Sequence, residues 1–189
     1  MPSKSLLALL AATAALAATQ VACSRDDTHA AQVARGRYLV TAMGCNDCHT
    51  PLVMGPNGPE PDMSRMLSGH PQDMQLPLAP VLPPGPWNTA VAATLTAWSG
   101  PWGVSFTHNL TPDRETGLGA WSLADFTDAM RTGRHQGRGR QILPPMPWQS
   151  VAALTDDDIA AVFAYLQSIP AISNRVPEPI APLAPTDAH

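Results

Sequence analysis

Lysine is almost absent from this chain: Lys4 is the only one, and arginine supplies the rest of 11 basic residues. Asp and Glu together number 15, which leaves a formal net charge of −4. That balance excludes the basic face a nucleic-acid partner requires. Cysteine is scarce too, at three residues, Cys23, Cys45 and Cys48. A four-cysteine zinc site needs a second Cys pair, and there is none. Long apolar runs are lacking as well. The most extended one, Leu6 to Ala18, is too short for a comfortable membrane span.

Proline and glycine are what the chain has in quantity, at 21 and 13 of 189 residues. The length suits one domain, and the prolines imply long irregular stretches. Met1 to Ala22, with Lys4 ahead of the apolar run, reads as an export signal, residues 1–22. Its removal leaves ten Arg against 15 acidic residues, a charge of −5, in an oxidising compartment. Cys23, after Gln20-Val21-Ala22, has the placing of a lipidated N-terminal cysteine. Gln20 departs from the usual Leu, and ordinary cleavage near Ala17 or Ala22 is the alternative.

Cys45-Asn46-Asp47-Cys48-His49 organises the rest. The C-x-x-C-H spacing is that of covalent c-type haem attachment. Two thiols add to the two vinyl groups of one porphyrin, and the adjacent imidazole becomes the proximal iron ligand. Thioredoxin-like chemistry would need a surrounding βαβ pattern, and half of a zinc site would need its other half. One such motif predicts one haem.

Residues 23–29 read as a polar tether and 30–170 as the haem domain. A first helix runs from Ala30, with Val33, Gly36, Val40 and Met43 at helical spacing, and stops at Gly44. Gly36 in mid-helix suggests close approach of another helix. The insert 50–105 carries many prolines together with Met54, Met63, Met66 and Met74, and reads as an irregular wrap over the haem pocket. Ala90 to Trp98 within it could be a short helix or an extended piece. Asn109-Leu110-Thr111-Pro112-Asp113 reads as an Asx-type turn, with calcium binding by Asn109, Thr111 and Asp113 as the alternative. Ser122 caps a helix bearing Leu123, Phe126 and Met130 that ends at Gly133. Thr155 caps the last helix, with Asp156, Asp157 and Asp158 in its first turn and Ile159, Val162, Phe163 and Leu166 as its apolar stripe. Pro170 stops it. Residues 171–189 form a Pro-rich, extended C-terminal tail.

The second axial ligand decides the chemistry. Met146 is the leading candidate, because Pro144, Pro145 and Pro147 restrict its loop and Trp148 can pack on porphyrin. A core role is the alternative for any methionine. Met43 is too near His49 to reach the opposite haem face, and Met130 belongs to a helix stripe. Met54, Met63, Met66 and Met74 stay open, and His70 is the rival for a bis-histidine site. His108 and His135 read as surface or propionate-side groups. Arg131, Arg134, Arg138 and Arg140 form a basic segment beside the Met146 loop. It is either a docking surface for an acidic redox partner or a set of pairs with propionates and nearby Asp.

These stretches resemble class I c-type cytochromes, closest to the single-haem periplasmic cytochromes that serve bacterial dehydrogenases. The resemblance rests on Gly36-Arg37-Tyr38-Leu39 before Cys45–His49, Asn109–Asp113 with Thr116-Gly117, Trp121–Phe126, Arg131–His135, Pro144–Trp148 and Leu154–Leu166. It implies an all-α fold around one covalent haem c, with long Pro-rich loops. It also implies that the first and last helices cross at Gly36, with Tyr38 and Tyr165 nearby, and that Met146 is the axial ligand. The expected function is periplasmic electron transfer to or from a dehydrogenase or terminal acceptor, without catalysis of its own and with a possible membrane tether through Cys23. A peroxidase-like haem enzyme and a haem-based gas or redox sensor are the competing classes.

Overall fold

A computed structural model describes residues 27–80, 82 and 85–182. Cys23 and the expected export signal, residues 1–22, lie outside the described residues. Helix α1 covers 27–42, and α2, Cys45–His49, follows after Gly44, whose φ of 67° makes the tight turn between them. Later come α3, Leu123–Thr132, α4, Trp148–Ala152, and α5, Asp156–Ser168.

The helices form where apolar periodicity and caps coincide. Ser122 Oγ accepts the Asp125 amide and the Asp125 carboxylate accepts the Ser122 amide, a reciprocal cap that starts α3. Gly133, at φ 66°, ends it. Thr155 Oγ1 accepts the Asp158 amide at the head of α5. Phe126, Ala129 and Met130 of α3 and Ile159, Val162 and Leu166 of α5 are buried together with Leu39 and Val40 of α1. Leu123 turns outward at 43 % exposure. Phe126 and Phe163 join α3 to α5 with ring centroids 5.3 Å apart.

Gly36 is where α1 crosses α5. A Cβ there would collide with the Ala161 carbonyl oxygen and lie 2.8 Å from Tyr165 Cβ. Tyr165 is therefore at the crossing, as expected, but Tyr38 is 61 % exposed, beneath the Arg35 guanidinium at 5.5 Å. Arg35 also pairs with Asp158 at 2.8 Å, tying the two helices on their outer side.

The expectation of an all-α fold is overturned by residues 52–106, which hold two antiparallel sheets. Strands β1, Leu52–Gly55, and β2, Gly58–Pro61, make a hairpin around Pro56-Asn57. Strands β3, Ala90–Val91, β4, Ala97–Gly100, and β5, Gly103–Phe106, form the second sheet in sequence order. The fold is mixed. The prolines that read as breakers do not prevent strands, because Pro59 and Pro61 lie in a two-stranded hairpin, where each strand is an edge. Pro101-Trp102 supplies the tight connection between β4 and β5, with Gly103 at φ 92°.

The tail is extended, and it is tied down as far as it is described. Val104 of β5 and Ile180 exchange backbone hydrogen bonds of 2.8 and 2.9 Å. Asn174, 1 % exposed, binds the segment 65–72.

Candidate haem site

Helix α2 is a single turn, and it places its three key side chains by helical geometry. Cys45 and Cys48 are three residues apart, on one face, both free and half-buried. Burial pushes the Cys45 thiol up to about 11 and raises Cys48 as well. Both are protonated thiols at neutral pH. His49 is 8 % exposed, and desolvation lowers its pKa, which favours the neutral imidazole an iron ligand must be.

His49 Nδ1 lies 2.7 Å from the carbonyl oxygen of His108. A carbonyl only accepts, so Nδ1 carries the proton and Nε2 keeps its lone pair for a metal. The sequence had placed His108 at the surface or beside a propionate. Its backbone carbonyl orients the His49 ring. Its side chain is half-buried, with a pKa lowered to about 4 by desolvation and by His135, His49 and Arg140. The His108 and His135 rings meet edge to face at 5.9 Å, and His135 meets Trp121 at 5.0 Å.

Met146 lies in the loop between α3 and α4, half-buried against the same core as Cys45, Met43, Leu110 and Trp121. The loop is anchored at three places. The Ile142 amide donates to the Gly133 carbonyl at 2.8 Å. Ser105 Oγ on β5 donates to the Pro144 carbonyl at 2.5 Å. The Trp148 indole packs against Gly133 so closely that a Cβ there would collide with it.

His70 lies behind His49. The segment 67–70 runs against residues 49–50 and 107–110: Gly69 N donates to His49 O at 2.8 Å, and His70 N to Thr107 O at 3.0 Å. The His70 ring is 0 % exposed, bonds Thr96 Oγ1 at 2.9 Å and packs on Phe106 at 4.9 Å. The ring is thus held by Thr96 and Phe106, and its Nε2 is buried without a hydrogen-bond partner among the described residues. Among the other methionines, Met54, Met63 and Met74 are exposed and Met66 adjoins the core.

The Asn109–Asp113 turn consumes its own oxygens. Asn109 Oδ1 accepts from Thr111 N and Oγ1 at 3.0 and 2.8 Å, and Asp113 Oδ1 from Thr116 N and Oγ1 at 2.8 and 2.6 Å. That favours the structural turn over a cation site. The arginines in the last turn of α3 and just after it are largely paired. Arg131 binds the Ala152 carbonyl and Asp156, Arg138 lies 3.5 Å from Asp125, and Arg140 lies 3.9 Å from Glu178. Arg134 binds the Gly139 carbonyl at 3.0 Å.

The donor set fits haem c: two neutral thiols on one helical face, an imidazole with its Nε2 lone pair available, and a thioether on an anchored loop. Sequence reasoning missed the His108 carbonyl, which no side-chain identity signals, and Asn174, which stands alone between prolines.

No family model matches the chain. It is 31% identical over 162 residues, 86% of its length and 28% of the other protein, to the gluconate 2-dehydrogenase cytochrome c subunit of Pantoea cypripedii. It is 28% identical over 179 residues, 93% of its length and 30% of the other, to the cytochrome c subunit of the alcohol dehydrogenase (quinone) of Gluconobacter oxydans. A diheme cytochrome c-type protein of Cereibacter sphaeroides matches 71 residues at 35% identity, 38% of this chain and 23% of that one. The chain spans less than a third of each of these relatives.

Proposed function

We propose, for a chain that belongs to the cytochrome c family and resembles the cytochrome subunits of bacterial dehydrogenases, that it is a periplasmic one-electron carrier holding one covalent haem c. Cys45 and Cys48 are its thioether residues, His49 its proximal ligand and Met146 its distal ligand. The bound haem supplies reversible one-electron chemistry at iron. The chain fixes the His49 tautomer and presents a thioether on a restrained loop. The observation that carries this reading is the 2.7 Å contact from His49 Nδ1 to the His108 carbonyl, made by the histidine that completes the C-x-x-C-H turn.

The partner is a dehydrogenase, in keeping with the gluconate and alcohol dehydrogenase cytochrome subunits that the chain is similar to. This chain passes electrons and leaves substrate oxidation to that partner. Residues 1–22 are the export signal and 30–170 the haem domain, and the tether of 23–29 runs into helix α1, which the structure begins at residue 27 rather than at Ala30. Lipid on Cys23 holds the carrier at the membrane, which requires two or more acyl chains for stable anchoring. Release of wild type and Cys23→Ser alike into the soluble periplasm would remove the anchor.

Absorption spectroscopy of the purified protein tests the electron-carrier reading. One haem per chain, low-spin in both oxidation states, with a weak far-red sulfur-to-iron band in the ferric form, is expected. A high-spin ferric spectrum would favour a peroxidase-like enzyme, and displacement of the sixth ligand by a diatomic gas would favour a sensor.

A further inference from the structure

We infer that the insert segment 67–70, locked from behind by Asn174, positions the His108 carbonyl against the His49 ring and so tunes the reduction potential. This rests on the haem reading above. It also assigns the long insert a task, that of a brace on the proximal side of the site.

His108 lies in irregular chain, just beyond β5, where no sheet ladder holds its carbonyl in place. The segment 67–70 brackets it instead. Leu110 N donates to Leu67 O at 2.8 Å on one side, and His70 N to Thr107 O at 3.0 Å on the other. Gly69 fills the space between. A Cβ there would collide with the Thr107 carbonyl oxygen and lie 2.7 Å from both the carbon and the oxygen of the His108 carbonyl. Its φ of +78° also disfavours any other residue. Gly69 N donates to the carbonyl of His49 itself at 2.8 Å. One residue therefore touches both the backbone of the histidine and the acceptor its ring uses.

Asn174 prevents that segment from backing away. Its Nδ2 donates to Ser68 O at 2.7 Å and His70 O at 2.9 Å, and its Oδ1 accepts Gln72 N at 2.9 Å. The bonds to Ser68 O and His70 O are buried, so losing them leaves unsatisfied carbonyls rather than hydrated ones.

A firm Nδ1–H···O=C bond makes the imidazole a stronger donor to iron, which favours the oxidised state. Loosening the brace lengthens that bond and shifts the equilibrium toward the reduced state. Gly69 and Asn174 are positioning residues, because they act through His108 and His49.

The test uses the full-length holoprotein and the variants Gly69→Ala, Asn174→Asp and, as a control, Ser122→Ala, which removes a cap on α3 far from the brace in sequence. Asn174→Asp keeps the acceptor and loses both donors. Both brace variants should retain one covalent haem and a low-spin spectrum. They should shift the one-electron equilibrium three- to tenfold toward reduction, tenfold being 59 mV for one electron. The His49 Nδ1 proton, followed by NMR in the reduced protein, should exchange faster in both. Ser122→Ala should lower the melting temperature with an unchanged potential. An unmoved potential and ring proton in folded brace variants, or an equal shift in the control, would overturn the brace. If neither brace variant folds, hydrogen exchange in the wild type decides. The Gly69 amide and the His49 ring proton should exchange in step, and free exchange of Gly69 beside a protected ring proton would overturn the inference. Absence of covalent haem in the wild type would instead overturn the underlying function.

Discussion

The ring of His49 and the backbone of His108 are joined at 2.7 Å although 59 residues separate them. The bond uses only the carbonyl of residue 108, so its side chain is free for another role. That side chain is held neutral by burial, with its pKa depressed from 6.5 to about 4. A depressed pKa means that the unfolded chain binds the proton more readily. The stability from this group is therefore present above pH 6.5 and is lost as pH falls toward 4. His108→Gln should keep the low-spin spectrum and flatten the loss of stability in that window. Guanidinium unfolding between pH 8 and 4 checks it, and an identical pH profile in the variant would count against the assignment.

Met146 and His70 make opposite predictions. Met146→Ala should convert the low-spin centre to a high-spin or differently ligated one. His70→Ala should leave the spectrum unchanged and destabilise the protein by about 1–3 kcal/mol, because a buried hydrogen bond to Thr96 and the packing on Phe106 are lost. Ferric absorption spectra and thermal melts of the two variants separate the roles. The reverse pattern would make His70 the ligand.

The helix crossing is tested at Gly36. Alanine would gain up to about 1 kcal/mol in helix propensity, but its Cβ would collide with the Ala161 backbone. Overpacking typically costs about 1–3 kcal/mol, so Gly36→Ala should be net destabilising. Denaturant unfolding measures the sign, and a stabilised variant would show that the helices separate freely.

The helical frame was legible because caps and apolar stripes are local: Ser122 with Asp125, Thr155 ahead of three aspartates, and Gly36 facing a partner helix. The sheets were not, since Pro59 and Pro61 break a helix yet sit without harm in a hairpin. Tyr38 was expected at the crossing, but two positions beyond Gly36 on a helix point to another face. The C-x-x-C-H motif is contiguous, so the grouping of Cys45, Cys48 and His49 on one helical turn could be read directly. Its support could not, because the His108 carbonyl has no side-chain signature and Asn174 reaches back 104 residues to the His70 carbonyl. Such contacts depend on tertiary structure alone.

The basic segment beside the Met146 loop is less available for docking than its sequence suggests, because Arg131 and Arg138 already face carboxylates. Arg134 binds a backbone carbonyl and has no carboxylate pair among the described residues. If a dehydrogenase docks here, Arg134→Glu should slow electron transfer more than Arg131→Glu, and the rate should fall with added salt. Stopped-flow reduction by the partner over a salt series checks this. Rates indifferent to salt and to Arg134→Glu would place the docking surface elsewhere.

Intact mass spectrometry of protein matured in a periplasm, before and after acid–acetone treatment, decides whether haem is covalently bound to Cys45 and Cys48. One haem per chain should survive extraction, and that added mass should be lost when Cys45 and Cys48 are both replaced by Ala. A haem that extracts, or a mature chain without one, would contradict that attachment.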